Sequence, residues 1–188
     1  MKHRCDWVTD SKLYQEYHDV EWCTPVYDDE TLFEFLILET FQAGLSWITI
    51  LNKRENFRKA FNNFDYHKIA NYKQTKYDSL LQDSGIIRNR LKIKSAITNA
   101  QLFIKTQQEF GSFSNFIWSY VNNKQIINQF TDRKEVPTTT ELSDQISKDL
   151  KKRGFKFVGS TVVYAYMQAI GMVNDHTKYC FKYLDLEK

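Results

Sequence analysis

The chain has 188 residues, of which 42% are hydrophobic and 26% charged, with a formal net charge of +3. That length suits one domain with a sizeable core, no run of about 18 apolar residues offers a membrane span, and the basic residues 1–6 lead into no apolar secretory stretch. Three cysteines, an odd number, fit a reducing cytoplasm better than a disulfide framework.

Two prolines and six glycines fall at boundaries, without the regular spacing of an all-β chain. Asp28 and Asp29 precede a helix expected over 30–43, where Leu32, Leu36, Glu39 and Ala43 share one face and Gly44 stops the run. Ser46 can cap a second helix that buries Trp47, Ile50, Leu51, Phe57 and Phe61. Shorter helical pieces are expected at 66–70 and 77–82. After Gly85 comes a longer amphipathic helix over 89–110 that buries Ile93, Ile97, Ala100 and Ile104, then another over 112–122. Residues 131–140, with Pro137 and three threonines, read as a loop. A helix over 142–153, a six-residue connection and a last helix over 160–172 complete an all-α domain spanning 1–188.

Three places carry chemistry. Cys5 and His18 near one end, with His176 and Cys180 at H-x₃-C spacing near the other, can supply the four Cys and His ligands of a closed zinc site that ties the termini together. It would also set Tyr17 beside whatever the clasp supports. Spacing alone equally allows four ordinary residues, because Cys5-x₁₂-His18 is not a compact motif.

The second place is Glu39. A carboxylate on the apolar face of a hydrophobic helix loses solvation unless something pairs with it. It precedes Gln42-Ala43-Gly44-Leu45-Ser46-Trp47, and Tyr14, Tyr17, Trp22 and Trp47 are close in sequence. Rings and a carboxylate suit a flat, electron-poor ligand that donates hydrogen bonds. The alternatives are a rim carboxylate or a partner for a buried group, with the rings in the core.

The third is the stretch 148–161. A helix ends at Gly154 and a new one begins at Ser160 and Thr161, whose backbone N–H groups suit a phosphate. Gly154 and Gly159 allow close backbone approach, and Lys148, Lys151, Lys152, Arg153 and Lys156 place five basic residues within nine positions, as DNA affinity requires. A solvated basic helix connection is the other reading. Residues 85–94 form a second basic stretch of the same character.

Taken together, these residues resemble the DNA-3-methyladenine glycosylase I family of the helix-hairpin-helix DNA-glycosylase superfamily. The matching strings are Cys5-Asp6-Trp7, Tyr17-His18-Asp19, Glu21-Trp22, residues 42–47, Gly85-Ile86-Ile87-Arg88, residues 151–159 and Val173-Asn174-Asp175-His176, covering nearly the whole chain up to Cys180. The resemblance implies a monofunctional hydrolase of base-excision repair. It would flip 3-methyladenine out of alkylated double-stranded DNA, cleave its N-glycosidic bond and bind the free base as product. It also implies structural zinc on Cys5, His18, His176 and Cys180, and a pocket of Glu39, Tyr17, Trp47 and Trp22 in which Glu39 is the catalytic carboxylate. The hairpin would be 154–159, with Lys151, Lys152, Lys156, Ser160 and Thr161 on DNA and the Gly44-Leu45 turn pressed into the gap left by the nucleotide. A cytoplasmic, monomeric enzyme with no membrane partner is expected. Cys23 and Thr40 depart from the family pattern, which has glycine at both places. Asp175 has two readings: related enzymes place a catalytic Asp after the hairpin, but here it adjoins His176, and a supporting role for the metal ligand fits equally. Two rival classes stay open, a zinc-clasped DNA-binding protein without catalysis and an enzyme whose zinc activates water; a full Cys₂His₂ set argues against the latter.

Overall fold

Asp28 starts the helix on which the molecule is built. In a computed structural model describing residues 2–184, its carboxylate accepts hydrogen bonds from the N–H groups of Glu30 and Thr31, satisfying two of the free donors at a helix start. Before it come α1 (Lys12–Glu16) and a π-helical turn, Tyr17–Glu21; α2 itself spans Asp29–Gln42. Leu32, Phe33, Phe35, Leu36, Ile37, Leu38 and Phe41 are all buried, so α2 is covered on every side and not on a single face.

The other helices wrap around it. They are α3 (Trp47–Ala60), α4 (Tyr66–Ala70), α5 (Gln74–Gln82), α6 (Arg90–Phe110), α7 (Phe113–Ser119), α8 (Glu141–Arg153), α9 (Ser160–Ala169) and α10 (Phe181–Leu184). Asn89, Ser112 and Thr140 each place a side-chain acceptor on the first turn that follows. Ser46 stands at the N-cap position of α3, but its hydroxyl bonds the Thr49 hydroxyl at 2.7 Å and leaves the backbone uncapped. Asp29 takes the N–H groups of Phe113 and Ser114 at 2.9 and 2.8 Å, which fixes the start of α7 on the start of α2. Tyr166 donates to the Leu32 carbonyl at 3.0 Å and pins α9 to α2.

The all-α expectation holds with one addition. Ile126–Ile127 (β1) pairs in parallel with Val173–Asn174 (β2), in register Ile126 to Val173. The helix expected over 160–172 ends at Ala169 because Gly171, at φ +71°, lies against the chain at Thr24 and Pro25, where an added Cβ would come within 2.3 Å of the Thr24 carbonyl carbon. Freed from the helix, the chain turns into β2 and on to Asp175 and His176. Likewise α7 ends at Ser119, before the left-handed Asn122 and Asn123, and α5 starts three residues earlier than its apolar pattern implies.

Candidate active site and metal cluster

The π-helical turn places neighbouring residues at two different sites. Its wide hydrogen bond, from Trp22 N–H to the Tyr17 carbonyl at 2.9 Å, sets Tyr17 in a cavity and His18 in a cluster of cysteine and histidine. Arg54 secures the turn from α3 by pairing with Glu21 at 2.7 Å and with Glu34 of α2 at 2.6 Å.

All four terminal Cys and His residues meet, buried, with their ligand atoms within 4.8 Å of one another. Cys180 Sγ lies 3.4 Å from His18 Nε2 and 3.5 Å from His176 Nδ1, and Cys5 Sγ lies 3.6 Å from His176 Nδ1. A tetrahedral ion with Zn–S and Zn–N bonds of about 2.3 and 2.0–2.1 Å sets sulfur and nitrogen about 3.6 Å apart. The donor set therefore fits a closed tetrahedral metal ion. His18 Nδ1 is engaged by Asp19 at 2.9 Å, and Asp19 in turn forms an ion pair with Arg4 at 2.7 Å. The Arg4 hydrogen bond holds the Asp19 carboxyl down at about 2, so the ionised acid orients His18 with Nε2 inward. Cys180 is the more acidic thiol, its pKa lowered first by the hydrogen bond from Cys5 and then by the two imidazoles.

Beside the cluster lies a cavity of about 460 Å³. Tyr17, Trp22, Glu39 and Trp47, separated in sequence, all line it. Tyr17 and Trp47 have ring centroids 5.3 Å apart, tilted by 49°. Trp22 lies over the His18 ring at 6.0 Å and meets the His176 ring edge-on at 4.7 Å, so one wall of the cavity rests on the cysteine–histidine cluster. Glu39 is buried, and its Oε2 has no hydrogen-bond partner; neither has the Trp47 Nε1. Burial pushes the Glu39 carboxyl up to about 8, and the same burial, with the Glu39 charge second, raises Tyr17. An uncompensated carboxyl and an uncompensated indole N–H on one aromatic cavity are costly for a protein alone and suited to a ligand bearing both a donor and an acceptor.

Asp175 also lines this cavity, with both of its carboxylate oxygens hydrogen-bonded. Its carboxylate accepts from Asn128 at 2.6 Å, Tyr164 at 2.7 Å and Gln168 at 2.8 Å, which joins β1, α9 and the start of the cluster loop. Cys23 stands at φ +60°, the left-handed region that favours the glycine expected there, and its Sγ accepts from the Asp175 N–H at 3.4 Å. Thr40 is buried in α2 and bonds the Ile37 carbonyl at 2.7 Å.

On the outer surface, α8 and α9 are joined through 154–159. Gly154 closes α8 at φ +103°, whereas Gly159 has an ordinary φ of −64°; an added Cβ there would meet nothing within 4 Å. Lys151, Lys152 and Lys156 are exposed, as is Thr161, while the Ser160 hydroxyl is engaged by Ser143 at 2.7 Å. Gly44, at φ +81°, and Leu45 form an exposed turn at the end of α2.

Two members of the basic stretches do not face solvent for a partner. Arg153 pairs with Glu109 at 2.6 Å and lies over the rings of Phe110 and Phe116. Lys92 is buried, and its Nζ donates to the carbonyls of Phe41 and Ala43 at 2.8 and 2.6 Å, closing the C-terminus of α2 behind Glu39. The cavity also recruits side chains that sequence reasoning does not assign to it: Trp7, Gln42, Arg133, Tyr164 and Gln168. Trp7 is visible in the sequence only as part of the Cys5-Asp6-Trp7 string; its ring packs on Tyr14 and Trp22, both at 4.9 Å.

A mostly helical body holds an aromatic cavity with a buried acid, backed by a cluster of two cysteines and two histidines. The methyladenine glycosylase family model matches residues 7–183, and the chain belongs to that family. DNA-3-methyladenine glycosylase 1 of Escherichia coli is 49% identical over 180 residues, covering 96% of both chains. A crystal structure of 3-methyladenine DNA glycosylase I superposes with a TM-score of 0.93 at 49% identity, covering 95% of this chain and 98% of that one. A variant of 3-methyladenine DNA glycosylase I, solved in complex with 3-methyladenine, superposes with a TM-score of 0.91 at 38% identity, covering 94% of this chain and 95% of its own.

Proposed function

We propose that the protein is a monofunctional DNA glycosylase of base-excision repair that hydrolyses the N-glycosidic bond of 3-methyladenine in alkylated duplex DNA. The observation that carries the reading is the pair of unsatisfied polar groups, Glu39 Oε2 and Trp47 Nε1, on an aromatic cavity in a chain of this family. A similar protein is solved with 3-methyladenine bound.

A base within a duplex is out of reach, so the nucleotide must be extruded into the cavity. The exposed Gly44-Leu45 turn, held from behind by Lys92, supplies the wedge that fills the vacated space. Tyr17, Trp22 and Trp47 stack on the extruded ring. Glu39 accepts a hydrogen bond from its exocyclic amine and, once ionised by that contact, favours a cationic base. Methylation at N3 leaves the base positively charged in the nucleotide. When the glycosidic bond breaks, both electrons go to the base, which departs neutral and needs no protonation. Water adds to the anomeric carbon as oxocarbenium character develops, and its proton passes to solvent. Glu39 is the catalytic carboxylate through electrostatics and positioning. Asp175, its oxygens already taken by three donors, holds the cavity wall and does not act as a free base.

Zinc is the metal that Cys5, His18, His176 and Cys180 would hold. Held by four protein ligands it would have no open position for water and would supply structure, supporting Trp22 and Tyr17 through His18 and His176. Lys151, Lys152 and Lys156, Gly154, Gly159 and the N-terminal residues Ser160 and Thr161 of α9 grip the DNA backbone as a helix-hairpin-helix. The chain acts as one domain and a monomer, in a reducing compartment such as the cytoplasm. Among the described residues no helix is long and apolar enough to cross a membrane.

Incubation of methylated DNA with the purified protein, with the free bases separated by chromatography, tests this. Release of 3-methyladenine without 7-methylguanine is the expected result. A folded, metal-loaded protein that binds DNA and releases no base would leave a DNA-binding protein only.

A further inference from the structure

A second groove lies on the outer face, apart from the aromatic cavity and sharing none of its lining residues. It encloses about 330 Å³ between the first half of α6 and the 154–159 connection, and is lined by Leu91, Lys94, Ser95, Thr98, Lys156 and Phe157. The α6 members recur at i, i+3, i+4 and i+7, one face of the helix. No carboxylate lines it, and neither Lys94 nor Lys156 forms an ion pair among the described residues.

Apolar side chains flank these cations in the open. Leu91 is 68% exposed and Phe157 36% exposed, although Phe155 and Val158 on either side of the latter are buried. Phe157 is also held at φ +57°, a backbone region that bulky side chains rarely occupy. The two walls are one rigid unit, because Asn99 of α6 bonds both the N–H and the carbonyl of Lys156, at 2.8 and 3.0 Å. A rigid groove with two free lysines and two exposed apolar side chains complements a phosphodiester strand, whose phosphates attract the lysines and whose deoxyriboses offer apolar surface. Continuity with the connection already assigned to the DNA backbone makes the occupant the same duplex.

We infer that α6 is the second half of the DNA-binding face: this groove seats the duplex backbone flanking the lesion, with Lys94 and Lys156 on phosphates and Leu91 and Phe157 against the sugars. The inference rests on the glycosylase reading and extends it to a surface that α6 contributes.

Two measurements on lesion-free duplex test it. First, Lys94→Gln should reduce the slope of log affinity against log salt by about 0.9, the release expected for one lost phosphate contact. Second, the three natural cysteines are buried, so the thiol introduced by Leu91→Cys is the accessible one; saturating duplex should slow its reaction with a maleimide at least tenfold. An unchanged slope together with labelling indifferent to duplex would overturn the inference, and if that protein still released 3-methyladenine the glycosylase reading would stand. A protein that neither binds duplex nor releases the base would overturn both.

Discussion

Asn99 holds Lys156 by both of its main-chain groups: its Oδ1 accepts from the lysine N–H at 2.8 Å, and its Nδ2 donates to the lysine carbonyl at 3.0 Å. Asn99 is fully buried on α6, so the exposed Lys156 is carried on a backbone fixed from the core. Asn99→Ala would leave two main-chain groups without their partner, at a cost of roughly 1–3 kcal/mol. Urea unfolding should register that loss, and duplex affinity should fall while affinity for free 3-methyladenine holds. Unchanged stability would mean that the connection keeps its shape without Asn99.

Glu39→Gln keeps size and shape and removes the charge. A hydrogen bond to a charged group contributes roughly 1.5–3 kcal/mol, so base affinity should drop about tenfold or more, with excision falling as well. Trp47→Ala should cost a comparable amount through lost stacking. Calorimetry with the free base and single-turnover excision check both; metal content should not change in either variant.

The same carboxyl makes stability depend on pH. Burial lifts it from 4.5 to about 8, so the fold favours the protonated acid. Its contribution is fully present below about 4.5 and is lost as pH rises through about 8. Thermal melts of the ligand-free protein over that window should show a decline that Glu39→Gln removes. A variant whose melts fall with pH as steeply as those of the unmodified protein would assign the dependence to another group.

Lys92→Met retains most of the apolar stem and deletes the ammonium that caps α2. The lost charged hydrogen bonds should lower stability by roughly 1.5–3 kcal/mol. The Gly44-Leu45 turn should become more mobile, visible as faster amide hydrogen exchange around Leu45, and excision from duplex should suffer more than binding of the free base.

Cys180→Ser and His18→Ala should each release the metal and lower the melting temperature markedly, because a four-ligand site that exists only in the folded chain makes metal binding part of the folding free energy. Elemental analysis of the unmodified protein should find one zinc per chain. Activity in the variants should disappear along with the fold, and loss of activity at full metal content would assign these residues another role.

Helices are legible in the sequence wherever their signals are local. Asp28 announces the start of α2 and places its side chain on the following turn, while Ser46 marks the start of α3 without capping it. The pocket residues Tyr17, Trp22, Glu39 and Trp47 can be gathered because they lie close in sequence and because the family resemblance assigns them to one pocket. Long-range contacts are hidden. β1 is two isoleucines, exposed even in the fold, that only pairing with β2 makes a strand, and Asp175 finds its donors at positions 128, 164 and 168. A lysine at a helix start reads as a surface charge, and only the end of α2, some fifty residues earlier, turns Lys92 inward.

The cluster that joins the termini has a consequence for how the protein is made. Cys5 and His176 are 171 positions apart, so a ribosome exposes half of the ligand set long before the other half exists. Through most of synthesis the chain carries Trp22 and Tyr17 without the imidazole of His176 against which Trp22 packs. A chain ending before residue 176 would lack half of the ligand set and leave the Trp22 wall unbraced. The wall of the cavity that Trp22 forms is therefore completed only once residues 176–180 have been made.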